Sequence, residues 1–234
     1  MLTSDEFFSL KNFEHISLWE KDESVWMALH SLKEYLNRST FQIEIEIPSG
    51  VYLTNSSQIS IGKGTILEPG VMIQGPCIIG KNCSIRHGAY LRGGIILGNR
   101  CVVGHASEVK HSIMLNGASA AHLCYVGDSI LGCDVNLGAG VKCANVRLDR
   151  KEISIFYEGH KMATGLRKFG AIIGDNTQIG CNSVLNPGTL FGRDSFCHPL
   201  LNVGGFIPAA SEVKKNTLSK GVSILERILE KSSR

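Results

Sequence analysis

The stretch Ile79-Gly80-Lys81-Asn82-Cys83-Ser84-Ile85-Arg86-His87-Gly88-Ala89-Tyr90-Leu91 repeats one short phrase. An aliphatic residue is followed by Gly or a polar residue, then variable positions, then a small residue, and six positions on the next aliphatic appears. Upstream the register runs back through Ile73, Leu67 and Ile61, and downstream it continues through Leu97, Val103 and Val109. A six-residue period held this long predicts a parallel β-helix, in which each phrase is one flat strand and one corner. Three phrases, about eighteen residues, close one triangular coil, and coils stack at about 4.8 Å. The aliphatic points into the prism, and Gly suits corners that a Cβ would strain.

Composition agrees with an ordinary water-compatible domain. Hydrophobic residues make up 43% and charged residues 19%, and no run reaches the roughly eighteen apolar residues of a membrane span. The N-terminus shows no basic, apolar, small-residue leader pattern, so a cytoplasmic location is expected. None of the eight cysteines stands in a C-x-x-C pair. Cys77, Cys83 and Cys101 occupy the repeat's small position, where a thiol serves as a small hydrophobe in a reducing compartment. Residues 1–50 carry nine acids and four Lys/Arg, leaving the remainder with a net +8. No basic run interleaved with aromatics points to nucleic acid; a mildly positive coil suits a phosphorylated small molecule.

Outside the repeats the chain divides simply. Residues 1–50 read as two helices, 5–14 and 23–37, capping the open end of the stack, with Val25, Leu29, Leu32 and Leu36 at helical spacing. The alternation Gln42-Ile43-Glu44-Ile45-Glu46-Ile47 reads as a lead-in strand. The β-helix occupies 51–216, interrupted by a polar, basic segment at 145–170 that should leave the prism as a loop or hairpin. Residues 217–234 end in a helix, about 218–231. The period slips twice, with five residues from Val109 to Met114 and five from Val126 to Leu131. The stretch between contains Ala121-His122-Leu123-Cys124-Tyr125-Val126-Gly127-Asp128, and irregular backbone set into a rigid scaffold is where function usually sits.

These residues carry a resemblance. Tyr90-Leu91-Arg92, Glu108-Val109-Lys110, His122-Leu123-Cys124-Tyr125-Val126-Gly127-Asp128 and Val135-Asn136-Leu137-Gly138-Ala139-Gly140 resemble the acetyltransferase half of the bifunctional bacterial enzyme that makes UDP-N-acetylglucosamine. The resemblance covers residues 79–191 and implies a left-handed coil and a homotrimer. It also implies N-acetylation of an amino-sugar phosphate, glucosamine-1-phosphate first, with acetyl-CoA as co-substrate, no metal, and no membrane or nucleic-acid partner.

The chemistry asks for these residue types. A neutral amine attacking a thioester must shed a proton, and imidazole accepts one near neutral pH. The resemblance makes His122 that base and Glu108 a residue that orients or polarises it. Phosphate calls for cations, a planar fork from Arg92 and a point charge from Lys110. Tyr125, Asn136 and the loop residue Lys168 join them on the sugar side. Ala139, Asn145 and Cys181 are implied on the acetyl-CoA side, in a groove between neighbouring subunits.

The departures are specific. The family's Cys-Asn-Tyr after the Gly-Ala-Gly turn reads Cys143-Ala144-Asn145, so the surroundings of acetyl-CoA change there. Residues 164–170 and 180–188 look more like a divergent branch of sugar-phosphate nucleotidyltransferase relatives. The fifty residues before the coil hold no glycine-rich phosphate loop, so no uridyl transfer is expected. Two rivals remain open. One is a zinc carbonic anhydrase on the same fold, using some of His87, His105, His111 and His122. The other is a non-catalytic trimeric scaffold that binds sugar nucleotides. A third variant keeps acyl transfer and changes the amino sugar.

Overall fold

The computed structural model describes residues 2–215 and the backbone of 222–226. The six-residue aliphatics fall where the period puts them. Ile61, Leu67, Ile73, Ile79, Ile85, Leu91, Leu97, Val103 and Val109 all line one continuous core, each at most 4% exposed. Burying such a side chain contributes roughly 1.5–3 kcal/mol, and the repeat supplies one per strand. Three parallel sheets result. The first face begins with Tyr52–Thr54, Met72–Gln74, Tyr90–Leu91, Glu108–Lys110 and Tyr125–Gly127. The second includes Cys77–Ile79, Ile95–Leu97 and Ser112–Met114, and the third includes Ser84–Ile85, Val102–His105 and Ser119–His122. Successive strands in one face lie in successive coils, as in Glu108 beside Tyr90 and Tyr125.

The corners from the second to the third face each spend one residue in the left-handed region: Asn82, Arg100, Gly117, Asp134, Asn176 and Asp194. Asn, Asp and Gly tolerate that conformation best, which is why they recur there. At Gly104 the reason for Gly is close approach. A Cβ there would lie 1.6 Å from the carbonyl oxygen of Ala121 in the next coil.

The N-terminal segment is helical only at α1 (Ser4–Phe7), a 3-10 turn Ile16–Leu18 and α2 (Met27–Arg38). It does not cap the end of the stack. Phe7, Phe8, Phe13, Leu18, Trp26, Leu29 and Leu32 bury themselves against Ile96, Ile113, Ile130, Ile172 and Leu190 on the outer side of the second face. That face is apolar on both sides, because aliphatic pairs such as Ile78-Ile79, Ile95-Ile96 and Ile172-Ile173 put one residue inward and one outward. A sheet apolar on both sides must be covered on both, and the aromatic segment covers it. The end of the prism is closed instead by the lead-in, where Ile43 bridges Ile61 and Ile45 and Ile47 pack on the core.

The segment 145–170 does leave the prism. It forms the antiparallel hairpin Ser154–Tyr157 with His160–Ala163, and Ile153, Ile155 and Phe169 return it to the cluster on the second face. The helix expected at 218–231 is corrected where it can be seen. Val222–Glu226 is a strand, antiparallel to Ser211–Lys215. Its alternation Val222-Ser223-Ile224-Leu225-Glu226 places β-branched residues two apart, a strand pattern that competes with the helical one. The rest of 218–231 lies outside the described residues. None of the described helices is long and apolar enough to cross a membrane.

Candidate active site

The first face is the candidate site's floor, because its middle coils turn Arg92, Glu108, Lys110 and Tyr125 outward. Along its inner-to-outer alternation Val109 and Val126 point into the core, while Glu108, Lys110 and Tyr125 face out. His122 ends the preceding strand, Ser119–His122, on the edge between the third and first faces, and its side chain is exposed. It stands in register with His105, and the ring of His105 stacks on that of His87 at 5.8 Å. The three imidazoles therefore mark successive coils of one edge. Among the described residues no three His, Cys, Asp or Glu side chains of one chain group to hold a metal ion.

The opposite edge of the first face, where the chain turns into the second, collects the charged residues. Arg92 Nη1 donates to Glu108 Oε1 at 2.6 Å and lies 5.8 Å from the centre of the Tyr90 ring. Lys110 Nζ donates to Asp128 Oδ2 at 2.9 Å, and Asn145 Nδ2 donates to the same oxygen. His111 Nδ1 lies 3.2 Å from Asp128 Oδ1, close but not aligned, since this buried nitrogen forms no hydrogen bond. Burial pushes the Asp128 carboxyl up, but His111, Lys110 and Asn145 facing it outweigh that and hold it below the usual carboxylate range. Tyr125 leans toward the same corner. A Cβ on Gly127 would meet its hydroxyl at 2.6 Å, so Gly127 leaves the space that the phenol fills. Burial, then the charges of Asp128 and Glu108, push the Tyr125 hydroxyl above its ordinary range.

Glu108 is bonded to Arg92 within the chain, because residues sixteen apart lie diagonally on adjacent coils and the face puts these two side by side. One expectation is corrected here: the phase slips do not present His122. Both five-residue steps straddle the corner from the first to the second face, at His111 and Asp128, which take φ of +45° and +48°. His122's own corner keeps the full six from Ala120 to Val126. The slip shortens the turn beside Asp128, and sequence reading gave neither Asp128 nor His111 a place at this charged corner. The signal was present: the residue missing from each step, Val109 to Met114 and Val126 to Leu131.

The remaining expected residues separate. Asn145 joins the charged corner. Asn136 and Cys181 share a shallow groove of about 390 Å³ on the third face, with Phe196, His198 and Pro199. Ala139 precedes Gly140, whose amide donates to the His122 carbonyl at 2.9 Å, so it sits on the His122 edge. Lys168 is exposed at the end of the 145–170 insertion, just before Phe169 and Gly170, whose amides bond the Asn145 and Asp128 carbonyls. Cys181 is the exposed thiol; burial pushes Cys143 up to about 12 and Cys197 to about 11, which suits inert core positions.

Comparison with known proteins gives the family. The chain is 30% identical over 210 residues to an uncharacterized acetyltransferase, YaiX, of Escherichia coli, covering 88% of this chain and 91% of that protein. The chain belongs to this acetyltransferase family. The acetyltransferase is also 39% identical over 87 residues to a bifunctional sugar-1-phosphate nucleotidylyltransferase/acetyltransferase of Sulfurisphaera tokodaii, over 37% of this chain. It spans only about a fifth of the length of such bifunctional relatives (22% of that protein). Residues 73–160 match the family described as the GMPPB C-terminal domain. Among solved structures, the UDP-N-acetylglucosamine acyltransferase of Francisella novicida aligns at 17% identity and TM-score 0.45, over 76% of this chain and 67% of that one.

Proposed function

We propose that this acetyltransferase transfers the acetyl group of acetyl-CoA to the amine of an amino-sugar phosphate, with glucosamine-1-phosphate as the first candidate, in the supply of UDP-N-acetylglucosamine for the cell envelope. The observation that carries the reading is the first face itself, with an exposed imidazole on one edge, paired cations on the other, and Tyr125 between them. His122 takes the ammonium proton as the amine nitrogen attacks the thioester carbon. The C–N bond forms, the C–S bond breaks, and the thiolate leaves as CoA. Arg92 and Lys110, with Lys168 from the insertion, hold the phosphate, and Tyr125 and Asn136 the sugar. Asn145, Ala139 and Cys181 lie on the CoA side.

Asn136 and Cys181 lie on a different face from Arg92 and Lys110, so one prism does not gather all of these residues. A homotrimer in the cytoplasm, with the first face of one subunit set against the third face of the next, gathers them. The second face is already covered, which leaves these two for assembly.

Arg92 and Lys110 each have a carboxylate partner. That observation favours a second reading, a scaffold that binds sugar nucleotides without turnover. Thiol release from acetyl-CoA against a panel of amino-sugar phosphates decides between them. Saturable release with one sugar phosphate establishes the enzyme; tight binding of a sugar nucleotide with no release establishes the scaffold.

A further inference from the structure

The two half-sites of the proposed reaction meet at a group that neither uses directly. Asp128 is 4% exposed, yet it is not an ordinary core residue. One carboxylate oxygen accepts from Lys110, assigned to the sugar phosphate, and from Asn145, assigned to acetyl-CoA. The other faces His111. Its backbone is equally committed. The Asp128 amide donates to the Lys110 carbonyl at 2.9 Å, and its carbonyl accepts from Gly170 at 2.8 Å, where the 145–170 insertion rejoins the prism. The insertion therefore leaves and returns within reach of this one residue.

We infer that Asp128 is a positioning residue that fixes Lys110 and Asn145 relative to each other and so sets the distance between the phosphate and the acetyl group. The inference rests on the proposed roles of Lys110 and Asn145. A flexible lysine becomes a fixed point charge only when a second charge holds it, and an amide that donates to a carboxylate turns its carbonyl oxygen away from it, free for a ligand. Because both donors share one oxygen, movement of one shifts the other. The His111 ring, 3.2 Å from the second oxygen, fills the space into which the carboxylate would rotate. Misplacement by an ångström costs roughly a hundredfold in rate when it separates reacting groups, so a residue that touches neither substrate governs both.

The test is a pair of mutant cycles on the full chain. Asp128→Asn, Lys110→Met, Asn145→Ala and the doubles Asp128→Asn/Lys110→Met and Asp128→Asn/Asn145→Ala are assayed by thiol release with acetyl-CoA and glucosamine-1-phosphate, and by calorimetric binding of CoA. Asp128→Asn is expected to raise both KM values by roughly tenfold. Each double is expected to be no worse than its partner single, in sugar-phosphate KM for Lys110→Met and in CoA affinity for Asn145→Ala. Additive losses assign Asp128 to general stability and overturn the inference. If the unaltered protein acetylates no amino-sugar phosphate, the functional reading fails, and the inference is decided on the CoA cycle alone; loss of CoA binding in the unaltered protein overturns both. If Asp128→Asn does not fold, His111→Ala replaces it. It is expected to raise both KM values roughly threefold, and unchanged values overturn the inference.

Discussion

His122 stands at the end of its strand with an exposed ring that makes no hydrogen bond among the described residues. Removing such a ring leaves no cavity and orphans no partner. His122→Ala is therefore expected to keep the melting temperature and oligomeric mass while turnover falls at least about a hundredfold, the lower end for a general base; unchanged turnover would remove His122 from the chemistry. Arg92 offers a sharper contrast because it is already paired. Arg92→Ala is expected to raise the KM for the sugar phosphate more than that for acetyl-CoA. Glu108→Gln, which frees the guanidinium, is expected to lower the sugar-phosphate KM, and steady-state kinetics on the two variants reads both signs. Asp128 carries a pH signature. Its folded pKa lies below its unfolded value, so its stabilising contribution is full above about pH 4 and is lost as pH falls through the folded value. The gap in melting temperature between the unaltered protein and Asp128→Asn is expected to be widest near neutrality and to close in acid. A gap that is constant with pH would contradict the depressed carboxyl.

At the scale of the element, one coil stacks on the next with no slack. Gly104 lies beneath Ala121, and an added methyl cannot fit without separating the two coils. Gly104→Ala is expected to cost about 1–3 kcal/mol in denaturant unfolding and to disturb the strand that ends at His122. This tightness is also why the coils were legible from sequence. Each strand had to send one aliphatic inward, so Ile61 through Val109 announced themselves. The insertion's departure was legible too, because 145–170 lost the period. What the sequence did not reveal on a one-dimensional reading was lateral. The Arg92–Glu108 and Lys110–Asp128 pairs join residues sixteen and eighteen apart, and such neighbours follow only once coil length is known corner by corner. The same holds for the N-terminal segment. Its helical spacing was visible, but its berth depended on recognising that Ile96, Ile113 and Ile130 are outward-facing aliphatics.

For the whole molecule, the decisive asymmetry is that one side of the prism is roofed and two are not. Deleting residues 2–38 would expose Ile96, Ile113, Ile130, Ile172 and Leu190 together, a patch large enough to drive association. Light scattering is expected to show the intact protein as a defined species of three 25.4 kDa chains, and the deletion as a broad mixture of larger ones. A monodisperse trimer after deletion would show that the roof is dispensable.

The roof also fixes an order of events. Its polar ties run far ahead along the chain, with Phe7 O accepting from the Asp175 amide, the Ser9 amide reaching the Asp175 carboxylate, and Asn12 O accepting from Asn116. During synthesis, the roof's aromatic residues must wait for partners 166 residues further along the chain. The prism can wind up coil by coil from its near neighbours meanwhile, while the aromatic segment that roofs it stays exposed until the distant coils arrive.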